Sequence, residues 1–152
     1  IAEIAGSARQ IVDLFAGCGT LSLPLLDNIA NLLAVEQSED ALAALKFGAD
    51  AAGIGGRVKT ASRNLFDTPL MPDELEGFDM AILDPPRSGA AAQCQMLAQS
   101  GIATIAMVSC NPASFARDAA ILTESGFQLE WVQVIDQFSF SNHLEMIGAF
   151  HR

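Results

Sequence analysis

Positive charge is scarce in this sequence: eight Lys and Arg stand against eighteen Asp and Glu, a formal net charge of -10. A phosphate backbone rewards cationic side chains, so these residues on their own point away from a nucleic-acid grip. Cysteine is scarce too. Cys18, Cys94 and Cys110 are odd in number and widely spaced, which argues against a disulfide framework or a metal cluster. No metal is expected within these residues, and a reducing cytoplasm is the expected compartment. No apolar run approaches the length of a bilayer span, and the first residues lack a basic segment followed by an apolar one. Neither a membrane nor a secreted protein is expected. Repeats, low-complexity stretches and linkers are missing as well, which leaves a single domain over residues 1–152.

What is present is a globular composition, with 51% hydrophobic and 17% charged residues. Short apolar runs alternate with helix-length, Ala-rich segments. The pattern predicts strands over Ile11–Phe15, Asn31–Val35, Arg57–Ala61, Phe78–Leu83 and Ala103–Val108. Helices are expected over Leu21–Ile29, Glu39–Ala52, Ala90–Gln99 and Ala113–Ser125. Two last strands, Leu129–Ile135 and Leu144–Phe150, read as a hairpin joined by a polar loop. The expected fold is α/β: a doubly wound, mostly parallel sheet covered on both faces, with a C-terminal antiparallel hairpin.

In such a sheet a ligand sits beyond the carboxyl ends of the strands, near the topological switch point. Asp13-Leu14-Phe15-Ala16-Gly17-Cys18-Gly19-Thr20 occupies that place after the first strand. Gly17 and Gly19 allow tight turning and close approach of a ligand, and Asp13 can meet a cationic amino-acid portion directly or through water. Glu36 ends the second strand, where dinucleotide folds place a carboxylate on the ribose hydroxyls. A nicotinamide enzyme would show a third glycine at the helix start, where Leu21-Ser22-Leu23 stands. Asn64, after the third strand, is either an adenine contact or a turn former.

Two further segments carry chemistry. Asp84-Pro85-Pro86-Arg87-Ser88-Gly89 ends the fourth strand, and its prolines stiffen the loop. Asp84 can accept a base N–H there, and Arg87 can meet a phosphate or carboxylate. Ser109-Cys110-Asn111-Pro112 passes from the fifth strand into a helix. Cys110 thus lies beside helix-terminal amides, the setting in which cysteines serve as nucleophiles. In the polar loop, either His143 or Glu145 is a candidate general base.

Together these segments resemble the RNA 5-methyluridine methyltransferases, over nearly the whole chain. The resemblance rests on Asp13–Thr20, on Asp84–Gly89, on Ser109–Pro112, and on Phe138 with His143-Leu144-Glu145. It implies a class I, Rossmann-like methyltransferase domain that binds S-adenosylmethionine through Asp13, Phe15, Gly17, Gly19, Glu36, Asn64 and Asp84. It further implies an RNA substrate, tRNA or rRNA, with Arg87 and His143 on the substrate side. Cys110 would add to carbon 6 of uracil, Glu145 would remove the carbon 5 proton, and Asp84 would hold the base. The sequence departs from the family at Ser139, usually Pro, at Ser141, usually Thr, and at Asn64, often Asp. Family members also carry an upstream Gln near the cofactor and an N-terminal RNA-binding domain. Neither is found in these residues, so the chain is expected to be a catalytic-domain fragment whose phosphate grip lies elsewhere. Some members hold an iron–sulfur cluster, for which these three cysteines are not the ligand set.

Two rivals remain. Methyltransferases of nitrogen or small molecules use Asn/Asp-Pro-Pro-aromatic, but Arg87 follows the prolines here. A binding module that has lost catalysis would have no task for Cys110 and Glu145.

Overall fold

The computed structural model describes residues 1–27, 29–136 and 144–152. Seven strands form one sheet: β1 (Gln10–Leu14), β2 (Asn31–Glu36), β3 (Val58–Ser62), β4 (Met80–Leu83), β5 (Thr104–Ser109), β6 (Gln128–Ile135) and β7 (Glu145–His151). Their spatial order is β3-β2-β1-β4-β5-β7-β6. The first five run parallel, while β7 is antiparallel to β5 and β6 antiparallel to β7. Strand order reverses between β1 and β4, which opens a crevice at their carboxyl ends.

The four helices are α1 (Ala2–Ala5), α2 (Glu39–Ala51), α3 (Ala91–Gln99) and α4 (Pro112–Glu124). β1 and β4 are buried on both faces, as parallel strands between helical layers must be. On one face Ile11, Leu32 and Met80 pack with α1 and with Leu42, Leu45 and Ala49 of α2. On the other, Val12, Leu83 and Met107 pack with Leu97 of α3 and with Phe115 and Leu122 of α4. Ser38 caps α2 by accepting from the Ala41 amide, and acidic Glu39 and Asp40 complement its dipole. Asn111 caps α4, with Pro112 at the first helical position, where its missing amide costs nothing.

One expected element is corrected. The helix over Leu21–Ile29 is only a 3-10 turn, Leu23–Leu25. Leu21, Leu25 and Ile29 have helical spacing, but Pro24 removes an amide and disfavours helical backbone at Leu23. α1 was not anticipated. The other strands and helices fall within two residues of expectation, and the terminal hairpin forms the antiparallel end of the sheet. Among the described residues, no helix is long and apolar enough to cross a membrane.

Candidate active site

The carboxyl ends of the strands set the candidate residues in a row. Beyond β3 stands Asn64, at the end of β2 Glu36, at the end of β1 Asp13 and Phe15, and beyond β4 Asp84. Beyond β5 stands Cys110, and β7 begins with Glu145. Ser109 pairs with Met146 at the end of the antiparallel ladder, which brings Cys110 and Glu145 to the same end of it, where both line one cavity. That juxtaposition of residues 110 and 145 is set by register alone.

Three cavities run along this row. One of about 300 Å³ lies between Phe15, Glu36, Asn64, Phe66 and Asp84. A second, of about 180 Å³, is bounded by Asp13, Gly17, Cys18 and Asp84. The third, of about 380 Å³, holds Cys110, Glu145, Leu21 and Asp84. Asp84 borders all three, so they lie side by side along the cleft. The largest cavity, about 520 Å³, opens instead near Arg9, Asp79 and His151 at the opposite rim. Size does not mark the site here, because none of the candidate residues at the carboxyl ends of the strands lines that cavity.

Electrostatics single out the middle of the cleft. Asp13 is 1% exposed, and neither of its carboxylate oxygens has a hydrogen-bond partner; the buried Ser22 hydroxyl is unpartnered as well. Burial pushes the Asp13 carboxyl up to about 7, the nearby Ser22 hydroxyl opposing it and the Asp84 and Glu36 carboxylates adding to it. Ser22 is close enough to stabilise the charge without making a hydrogen bond of normal geometry. Asp84 keeps access to water at the mouth of the cleft, yet the walls around its carboxyl strip enough solvent to push it up to about 6, with repulsion from Glu145 second. A buried carboxylate with two free oxygens beside a cavity is matched by a cationic, hydrogen-bond-donating group.

Glu36 is tied down by the backbone amides of Gly17, at 3.2 Å, and Ser38, at 2.8 Å. Gly17 has φ 52, and its place in the cleft wall depends on that left-handed turn. Gly19 does not border the cleft. A Cβ there would lie 2.9 Å from atoms of Leu23 and Leu45, so it lets the turn settle onto α2. Asn64 borders the cleft with its amide spent locally: Nδ2 donates to Asp67 at 2.6 Å, and Oδ1 accepts from the Phe66 amide at 3.0 Å. The turn-forming role is the one these bonds display. Arg87 is exposed on its loop and has no ion pair among the described residues. Phe138, Ser139, Ser141 and His143 lie outside the described residues.

Two features of the cleft had no clear signal in the sequence. Phe15 has φ 63, a conformation that costs an aromatic residue about 1–3 kcal/mol. Its ring meets Phe66 at 5.3 Å between centroids, and the two form an apolar wall beside Glu36. No group of three or more potential metal ligands occurs among the described residues.

Comparison with known proteins sets this geometry in context. The model of the tRNA (uracil-5-)-methyltransferase family matches residues 71–151. An uncharacterized RNA methyltransferase of Rhizobium meliloti is 43% identical over 147 residues, covering 97% of this chain and 35% of that protein. The 23S rRNA (uracil(1939)-C(5))-methyltransferase RlmD of Burkholderia thailandensis is 38% identical, covering 94% of this chain and 33% of its own length. The chain therefore spans about a third of the length of the curated relatives it matches. Among solved structures, the Pyrococcus abyssi tRNA (uracil-54, C5)-methyltransferase, in complex with S-adenosyl-L-homocysteine, superposes with a TM-score of 0.81 at 22% identity. The match covers 97% of this chain and 36% of that one and shows a shared fold.

Proposed function

The chain belongs to the tRNA (uracil-5-)-methyltransferase family, and on that premise we propose that it is the catalytic domain of an S-adenosylmethionine-dependent RNA (uracil-5-)-methyltransferase that works through a covalent Cys110 adduct. The observation that carries this reading is that Cys110 and Glu145 line one cavity with Asp84, which also borders the two neighbouring cavities.

The residues present fit the cofactor. The unpartnered Asp13 carboxylate suits the ammonium of its amino-acid end, Glu36 suits a ribose diol, and Phe15 with Phe66 suits a flat purine. When bound, S-adenosylmethionine supplies an electrophilic methyl group for carbon 5 of the target uracil. Cys110 adds as thiolate to carbon 6, and the displaced electron pair makes carbon 5 nucleophilic. Asp84 accepts a hydrogen bond from the base and holds it against Cys110. Once carbon 5 carries the methyl group, Glu145 takes its proton, the carbon 5–carbon 6 double bond re-forms, and Cys110 leaves as thiolate. Extruding the base from a folded RNA costs a few kcal/mol. With a net charge of -10, the domain leaves most phosphate contacts to the remainder of a longer protein.

The test uses RNA bearing 5-fluorouridine, S-adenosylmethionine and the full-length protein. Fluorine cannot leave as a proton, so a denaturation-resistant adduct should accumulate and map to Cys110 by mass spectrometry. Cys110→Ala should form none while still binding S-adenosylhomocysteine. An adduct on another residue, or methyl transfer undiminished in Cys110→Ala, would exclude the covalent route.

A further inference from the structure

The loop from Asp84 to Ala90 belongs to no strand or helix, yet one helix fixes its backbone at three points. Asn111 Nδ2 donates to the Arg87 carbonyl at 2.9 Å. Arg117 Nη2 donates to the Ser88 carbonyl, also at 2.9 Å. The Ala90 amide donates to Asp118 Oδ2 at 2.6 Å. Asp118 is 1% exposed, and its other oxygen receives Arg117 Nε at 2.9 Å and Nη2 at 2.7 Å. Both oxygens of this buried carboxylate are therefore satisfied, one by a charge and one by the loop.

Gly89 shows how closely the loop lies on the helix. It has φ +75, and a Cβ added there would sit 2.8 Å from Ser114 Cβ and collide with the Arg117 guanidinium and the Asp118 carboxylate. The helix that makes these contacts is α4, whose cap Asn111 directly follows Cys110. A single rigid element thus starts at the nucleophile and holds the loop that carries Asp84 and Arg87.

We propose that Asp118, acting through Arg117 and the Ala90 amide, is a positioning residue that sets the spacing between Cys110 and the Asp84–Ala90 loop. The proposal rests on the roles given above to Cys110 and Asp84. A purely structural Asp118 would lower the melting temperature and leave turnover of the folded protein unchanged. A positioning Asp118 changes turnover itself, because displacing a reacting group by about 1 Å can cost about 10²-fold. The loop shares Asp84 with the cofactor cavities, but the clamp grips it at Arg87, Ser88 and Ala90, which border neither of them.

The experiment compares wild-type, Asp118→Ala, Asp118→Asn and Gly89→Ala forms of the full-length protein below their melting temperatures. Methyl transfer to RNA is resolved into kcat and KM, S-adenosylhomocysteine binding is measured by calorimetry, and amide exchange is followed at residues 87–90. Asp118→Ala should lower kcat by about 10²-fold, leave S-adenosylhomocysteine affinity unchanged, and speed exchange of the Ala90 amide while β4 and β5 stay protected. Asp118→Asn keeps an acceptor for that amide and should recover most of the rate. Gly89→Ala should reproduce the loss with Asp118 intact. Wild-type kcat in folded Asp118→Ala, a rise in RNA KM alone, or unaltered exchange at Ala90 would each overturn the proposal. Should the wild-type protein transfer no methyl group, the functional reading fails, and the exchange at Ala90 still decides whether the clamp exists.

Discussion

Replacing Asp13 with Asn should stabilise the protein without ligand and weaken its hold on the cofactor. Asp13 titrates near 4 as a free side chain and near 7 here, a difference of about 3 units. At about 1.4 kcal/mol per unit, holding the charge in place costs on the order of 4 kcal/mol above pH 7. The folded state binds the extra proton between these two values, so wild-type stability falls as pH rises from about 4 to about 7. Asn occupies the same volume with no charge to bury. Its amide is equally short of partners, and the net gain at pH 8 should be roughly 2–3 kcal/mol. For a domain of this size that is a rise of about 5–10 °C in Tm. At about pH 3, below both values, wild-type Asp13 is protonated folded and unfolded alike, and the two proteins should melt together. Calorimetry at pH 8 should show S-adenosylhomocysteine binding weakened by about 10- to 100-fold, the worth of one hydrogen bond to a charged group. Equal stability at pH 8, or a gain of the same size at both pH values, would refute the reasoning, since neither outcome is compatible with a buried, unpaired charge.

Glu145→Gln should accept a methyl group and then stall, accumulating a Cys110 adduct on ordinary uracil RNA; gel shift under denaturing conditions detects it, and full turnover would remove Glu145 from its assigned role. Asp84 is pushed up to about 6, so it loses its acceptor form as pH falls through that value. The acid limb of kcat/KM should therefore lie near pH 6 and vanish in Asp84→Asn, whose residual rate should be low and flat. An unchanged limb would assign it to another group. Phe15→Gly should relieve about 1 kcal/mol or more of backbone strain but remove one apolar wall of the cleft. Its melting point should hold or rise while S-adenosylhomocysteine affinity drops, which thermal melts with and without ligand would show.

The legible parts of the fold were those governed by local rules. β1, β4 and β5 read as apolar runs because parallel strands buried on both faces carry no alternation, and polar or turn-forming residues mark where each one stops. The segment from Leu21 to Ile29 misled because its leucines keep helical spacing while a single proline decides the backbone. Asp13, Glu36, Asp84 and Cys110 could be named in advance, since each stands at or just beyond a strand's carboxyl end. The pairing of Cys110 with Glu145 came only from the resemblance to a family, not from the local pattern. It follows from the register of β5 against β7, and no local pattern encodes which rungs of distant strands meet. The backbone of Phe15 was equally hidden, because nothing in a strand-to-glycine turn announces which residue will take the positive φ. The clamp on the Asp84–Ala90 loop needed coordinates too: Asp118 lies eight positions past Cys110, on what reads as an ordinary helix.

β7 is the last of the seven strands to leave the ribosome, yet it takes a place inside the sheet, between β5 and β6. β6 is made earlier, and among the described residues β7 is its only strand partner, so its ladder forms only when β7 enters the gap. The same event carries Glu145 into the cavity that Cys110 lines. On the roles proposed above, the nucleophile is thus synthesised before the base that completes its chemistry. A nascent or misfolded chain with β7 undocked would present the thiol alone, able to attack but not to finish.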